Sequence, residues 1–249
     1  MQSSPLFRRA LLAASALGTF APVVALASPA PTGVVGADIT GAYRLVFVTA
    51  GLTATTSTSI STYNSFVGSE AALAGSVLPS SSWAVLGSTA TTNAVANANA
   101  LCNGNSACIN APLYEVVVNT TTNSLSDVLV ASSIASMFSG NISSTINALQ
   151  TGATIGGTVA TGTNDNGTTA TGNELGATQV ALGLAIVPGN PQTEVGMFNV
   201  TTSSLGSNKS LYGISGLLQG TAVPEPASAA LLGVGAGLML VMRRRRKAA

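Results

Sequence analysis

The chain has 249 residues, of which 7% are charged and 4% aromatic, and its formal net charge is +1. A globular domain is normally about a quarter charged; here Ala, Gly, Ser, Thr and Asn fill the difference, giving a polar but uncharged texture. There is no His, which excludes His-based triads, His acid–base chemistry and His metal ligands.

The first segment reads MQSSPLFRRALLAASALGTFAPVVALASPA. Arg8 and Arg9 form a positive start, Ala10 to Phe20 an uncharged apolar run, and Ala25-Leu26-Ala27 a small-x-small cleavage pattern with Ser28 behind it. This is the layout of a secretory signal peptide, assigned to residues 1–27. Pro22 and the shortness of the run argue against a permanent anchor. The arginine pair lacks a twin-arginine consensus, so the general secretory translocon is the expected route. Residues 28–40 read as a linker.

Residues 41–220 read as one exported α+β domain. Tyr43 to Thr49 alternates bulky strand formers and predicts a strand that ends at Gly51. Ile60, Tyr63, Phe66, Val67 and Ala71 recur at helical spacing, so a helix is expected over Ser59–Ala74, capped by the preceding Ser-Thr-Ser. A short strand is expected from Trp83 to Leu86 and a strong one from Leu113 to Val118. Leu125, Val128, Leu129 and Ala135 suggest a second helix over Ser124–Phe138, with Ser124 or Ser126 as cap. Beyond Gly140, Val180–Val187, Met197–Thr201 and Leu211–Ile214 read as strands between turn-rich segments. Asn166-Gly167 is a hairpin signal. Strand and helix first, then strands with long loops, argues α+β. About 190 residues suffice for a real core.

Cys102 and Cys108 lie in LCNGNSACIN. Two cysteines in an exported chain are expected to pair. The spacing is not Cys-x-x-Cys, and no nearby cation would activate a thiol. The Asn164-Asp165-Asn166-Gly167 run has one carboxylate, too few for a calcium loop, and reads as a turn. Asn119, Asn141, Asn166, Asn199 and Asn208 each start an Asn-x-Ser/Thr triplet, a composition effect in a chain this rich in those residues. Glu70, Glu115, Asp127 and Glu174 form no recognisable motif and are expected at solvated positions.

The basic residues are segregated. Arg8, Arg9, Arg243–Arg246 and Lys247 occupy the two ends, leaving only Arg44 and Lys209 between them. A phosphate backbone needs clustered cations, so no nucleic-acid partner is expected. At the C-terminal side, Ala227 to Met242 carries no charge. As a helix it would cover about 24 Å at ~1.5 Å per residue, against a hydrocarbon core of about 30 Å. A cationic cluster stays cytoplasmic, so Arg243–Lys247 would leave the rest of the chain outside. Gly233 and Gly237 have the spacing of a helix-dimer motif, common enough in short spans to carry little weight. Val223-Pro224-Glu225-Pro226 precedes the span, and its prolines hold it extended.

In this tail the chain resembles the PEP-CTERM proteins of Gram-negative bacteria, whose signal has the same three parts in order: Pro-Glu-Pro, apolar helix, Arg-rich end. The resemblance spans residues 223–249. It implies handling by an exosortase, transient anchoring in the inner membrane, and release to the surface or medium, often beside exopolysaccharide and biofilm gene sets. A second resemblance lies within the domain. Some exported PEP-CTERM proteins share Tyr43-Arg44-x-x-Phe47-Val48-Thr49, Tyr63-Asn64-x-Phe66-Val67, Trp83 with Ser88-Thr89, Pro112 with Tyr114, Thr161-Gly162-Thr163 with Gly167, and Leu211-Tyr212 with Ile214-Ser215. The Trp that precedes the Thr-Gly-Thr turn there is Ala160 here. That pattern is similar to C-type-lectin-like domains of the endostatin kind, which implies an α+β fold with long loops.

Three functions remain in view. The first is a surface or matrix protein acting through structure or adhesion, without catalysis or cofactor. The second is a carbohydrate-binding module using Trp83, Tyr43, Tyr63, Tyr114 or Tyr212, most of which read better as core. The third is a glycosidase working through two carboxylates about 5–10 Å apart. The first is the reading the residues favour.

Overall fold

A computed structural model describes residues 35–37, 39–185 and 197–220. In chain order the elements are β1 (Ala42–Val48), β2 (Thr53–Ala54), α1 (Ile60–Ala71), β3 (Trp83–Val85), α2 (Ala94–Ala100), α3 (Ser106–Ile109), β4 (Leu113–Asn119), β5 (Ser124–Ala131), α4 (Ile134–Phe138), β6 (Gly157–Ala160), β7 (Gln179–Ala185), β8 (Thr201–Ser204), β9 (Asn208–Ser215) and β10 (Leu218–Gln219). The fold is mixed α+β, mostly sheet, in a single domain.

The sheet runs β5-β4-β1-β9-β6-β7-β8, with β10 added to β1 and with β2 and β3 added to β9. β1–β4 and β6–β9 are parallel and the other named pairs antiparallel. A parallel pair needs a crossover; the one from β1 to β4 carries α1, β3, α2 and α3. β9 is the spine. Its Gly213 and Ile214 pair with both β1 and β3, while Ser210 and Leu211 pair with β6.

Both faces of β1 are covered, which is why all but its first residue are buried. Val46 and Val48 join Leu86, Leu113, Ile134, Phe138, Phe198, Tyr212 and Ile214 in the main core, under α2 and α4. Phe47 turns the other way, to Tyr63 and Val67 of α1. Burying each such large side chain contributes about 1.5–3 kcal/mol. Gly213 is required at the crossing, because a Cβ there would run into Phe47 and Val67.

Several expected elements lie where the periodicity put them: β1, α1, β3, β4, β7 and β9. Ser59 holds the N-cap position of α1, but its side chain caps nothing. The helix expected over Ser124–Phe138 is overturned in its first half. Ser124–Ala131 is a strand that pairs with β4 through Asn119↔Ser124 to Leu113↔Ala131, and only Ile134–Phe138 is helical. Cross-strand pairing along this hairpin outweighs the local helical spacing. Ser133, rather than Ser124 or Ser126, caps the helix, accepting from the Ser136 N–H at 3.0 Å. The strand expected at Met197–Thr201 begins instead at Thr201; Met197 and Phe198 are core residues ahead of it. Val187, the expected end of β7, lies outside the described residues. The Asn166-Gly167 turn forms, with the Asn164 N–H donating to Thr168 O at 2.9 Å and Gly167 at φ 80°.

Candidate functional site

Several of the polar side chains that the domain buries are tied to its own backbone. Arg44, in β1, is fully buried; Nε donates to Ser215 O at 2.7 Å and Nη2 to Ala98 O at 2.8 Å. Ala98 lies in the last turn of α2, where the free carbonyls and the helix dipole favour a cation. Burial lowers the Arg44 pKa to about 10, so it stays charged at neutral pH. Glu115 is 1% exposed, and its Oε2 accepts from the Asn147 and Ala148 N–H groups at 2.9 and 3.0 Å. Burial pushes its carboxyl up, and the two amides partly restore it. Glu70 Oε2 accepts from the Gly51 N–H at 2.7 Å and from Gln150 Nε2 at 3.0 Å. Both glutamates, expected at solvated positions, are buried; main-chain donors offset part of the cost of removing a carboxylate from water. Asp127 and Glu174 are half-buried and likewise accept from amides, those of Gly36 and Gly172.

A second network fixes the helices to the sheet. Asn64 of α1 and Asn97 of α2 exchange amide hydrogen bonds at 2.9–3.0 Å. Together they satisfy both main-chain groups of Val85 in β3, Asn64 Oδ1 accepting and Asn97 Nδ2 donating. Ser88 Oγ caps α2 through the Ala94 N–H and meets Thr163 Oγ1 at 2.9 Å. The Thr161 hydroxyl reaches the carbonyls of Ala181 and Phe198. Gly162 needs φ +61°, and a Cβ there would meet the backbone of Ser88 and Leu175. Arg44, Asn64, Ser88, Thr161 and Thr163 thus hold the fold together.

Among the aromatics, Tyr43, Tyr63 and Tyr212 are core, with hydroxyl pKa values raised by burial. Trp83 and Tyr114 are half-buried. Trp83 is fixed edge-on by Phe47, with ring centroids 5.1 Å apart and planes at 88°. It lines a cleft of about 350 Å³ between the end of α1 (Gly68, Ala71, Ala72) and the loop Ser76–Ser81. Among the described residues no group of three or more His, Cys, Asp or Glu could hold a metal ion. Cys102 and Cys108 are joined in a disulfide, with Cα atoms 5.4 Å apart, that closes the turn between α2 and α3.

Residues 222–247 match the family model described as the PEP-CTERM protein-sorting motif. The chain carries a PEP-CTERM sorting signal. No curated protein matches the chain. A PEP-CTERM protein is an exosortase substrate sorted to the cell surface, and the motif implies export with a membrane-anchored C-terminal tail before processing. The match covers Val223, Pro224, Glu225 and Pro226, the apolar span 227–242, and Arg243, Arg244, Arg245, Arg246 and Lys247. These residues, like Ala25, Ala27 and Ser28 of the expected signal cleavage site, lie outside the described residues. Among the described residues no helix is long and apolar enough to cross a membrane.

The spacing arguments missed the Asn64–Asn97 pair, Gln150 and the Trp83 cleft. A signal was present for one buried group: Arg44 stands alone among strand formers in YRLVFVT.

Proposed function

We propose that this PEP-CTERM protein is a structural or adhesive component of the cell surface or extracellular matrix, held beside exopolysaccharide and biofilm material, and that it works without catalysis or cofactor. The observation that carries the reading is the use made of four of the five carboxylates among the described residues. Glu70, Glu115, Asp127 and Glu174 each accept a main-chain N–H, and none of them lines the Trp83 cleft. A glycosidase needs an acid and a base open to the substrate. The uncharged Ser, Thr and Asn surface and the cysteine staple suit a protein outside the cytoplasm.

The test uses the processed protein from medium or envelope, incubated with the producer's own exopolysaccharide. Co-sedimentation without new reducing ends is the expected result. Release of reducing ends that disappears in Glu115→Gln or Glu70→Gln would overturn the non-enzymatic reading. A second reading, a carbohydrate-binding module, is favoured by the half-buried Trp83 at a cleft. A lectin-like architecture belongs to that reading. The mixed α+β fold and the long connections between β5 and β7 support it.

A further inference from the structure

We infer that the cleft beside Trp83 is a binding site for a neutral saccharide unit within a polysaccharide. The inference rests on the carbohydrate-binding reading and names its site and ligand class. The volume, about 350 Å³, falls at the small end of the ~300–1,000 Å³ typical of ligand sites. Its lining carries no ionisable side chain, so a phosphate, a uronate or an amine would find no counter-charge. The lining instead pairs one large aromatic ring and two leucines, Leu73 and Leu78, with small residues and serine hydroxyls. Gly68, Ala71 and Ala72 leave room at the end of α1, and Ser80 and Ser81 stand on the facing loop. A pyranose matches that split: one face of C–H groups for an indole and an edge of hydroxyls for serines.

The site is built in advance of any ligand. The Trp83 ring is held by Phe47, and its own main chain is paired with Ser215 in β9. The loop is pinned at both ends. The Ser76 N–H donates to Leu73 O at 3.0 Å, the Val77 N–H to Gln150 O at 2.9 Å, and the Gly216 N–H to Ser82 O at 2.8 Å. Gln150 is in turn fixed by Glu70 and by the Ala50 N–H. Preorganisation of this kind lowers the ordering cost of binding. Pro79 stiffens the same loop.

Trp83 is the chain's only tryptophan, so its fluorescence reports on this cleft alone. The processed protein is titrated with cellohexaose, maltohexaose and mannohexaose. Polygalacturonate and a proline-rich peptide serve as controls, and retention in polyacrylamide gels cast with the producer's exopolysaccharide is measured in parallel. A saturable emission change with at least one neutral oligosaccharide, and with neither control, is expected. Trp83→Ala should weaken gel retention by roughly tenfold or more, the loss of about one strong contact. Because Trp83 also packs on Phe47, Ser81→Ala and Ser80→Ala supply variants at a surface loop, expected to weaken retention by a few-fold with unchanged circular dichroism. No saturable change with any neutral oligosaccharide, or an equal change with a control, overturns the site. Retention that is normal in all three variants overturns the cleft while leaving a matrix role standing. Absence of retention for the unaltered protein overturns both.

Discussion

Glu115 shows how this protein treats charge at the scale of one residue. Its folded pKa is raised by burial, above an unfolded value of about 4.3. The sign follows: its contribution to stability is fully present below the unfolded pKa and is lost as pH rises through the folded one. Relative to Glu115→Gln, the unaltered protein should therefore gain stability as pH falls from 7 towards 4.5, as read by urea unfolding at both values. An unchanged difference between the two proteins would contradict this. Glu115→Ala strands the Asn147 and Ala148 N–H groups and should cost about 2–4 kcal/mol at either pH. Arg44→Lys is a second residue-scale test. A single ammonium cannot reproduce the fork that reaches both Ser215 O and Ala98 O, so a loss of about 2–3 kcal/mol in the same unfolding assay is expected. None of this was legible in the sequence for the glutamates. The amides that satisfy Glu115 lie more than thirty positions away, and no spacing rule joins a carboxylate to a distant main-chain donor.

Among the elements, the strands with β-branched runs were legible because burial and local preference agree: LYEVVVN forms β4 and YRLVFV lies within β1. The segment SLSDVLVA was misread because Leu125, Val128 and Leu129 fit a helical face, while pairing with β4 decides the outcome. α2, AVANANA, was missed since its residues are small and show no apolar stripe; Asn93 and Ser88 cap it, and Asn97 ties it to β3. The Asn64–Asn97 link makes α1, β3 and α2 one unit. Asn64→Ala and Asn97→Ala should each cost about 1–3 kcal/mol, and the double variant should cost less than their sum by at least about 0.5 kcal/mol. Strict additivity in a double-mutant cycle would show that the two amides do not act together. The Cys102–Cys108 staple closes a short loop. Replacing both cysteines by Ser should lower stability by about 2 kcal/mol, measured by thermal unfolding in non-reducing buffer.

At the scale of the molecule, segregation of charge is the informative pattern. Cations cluster at the two ends, while the middle is nearly uncharged and its buried Glu70 and Glu115 are bound to main-chain donors. The sorting signal was legible because it is local: a Pro-Glu-Pro motif, an apolar run and a cationic end read directly from consecutive residues. The cleft was not, since its lining runs from Gly68 to Trp83 and becomes a cleft only once α1, the loop and β3 are assembled. A variant lacking residues 222–247 should still be exported yet fail to pass through a membrane-held form, which cell fractionation with a pulse-chase label would show. A membrane-held intermediate of unchanged lifetime would contradict that expectation.

The most direct test is the intact mass of the protein recovered from the envelope and medium of a producing strain with and without its exosortase. With the enzyme present, the mature species should lack residues 1–27 and the cationic end Arg243–Lys247. Without it, or with Pro224, Glu225 and Pro226 all replaced by Ala, the tail should remain and the protein should stay with the membrane. A surface or secreted species that keeps Arg243–Lys247 in the presence of the exosortase would contradict the account.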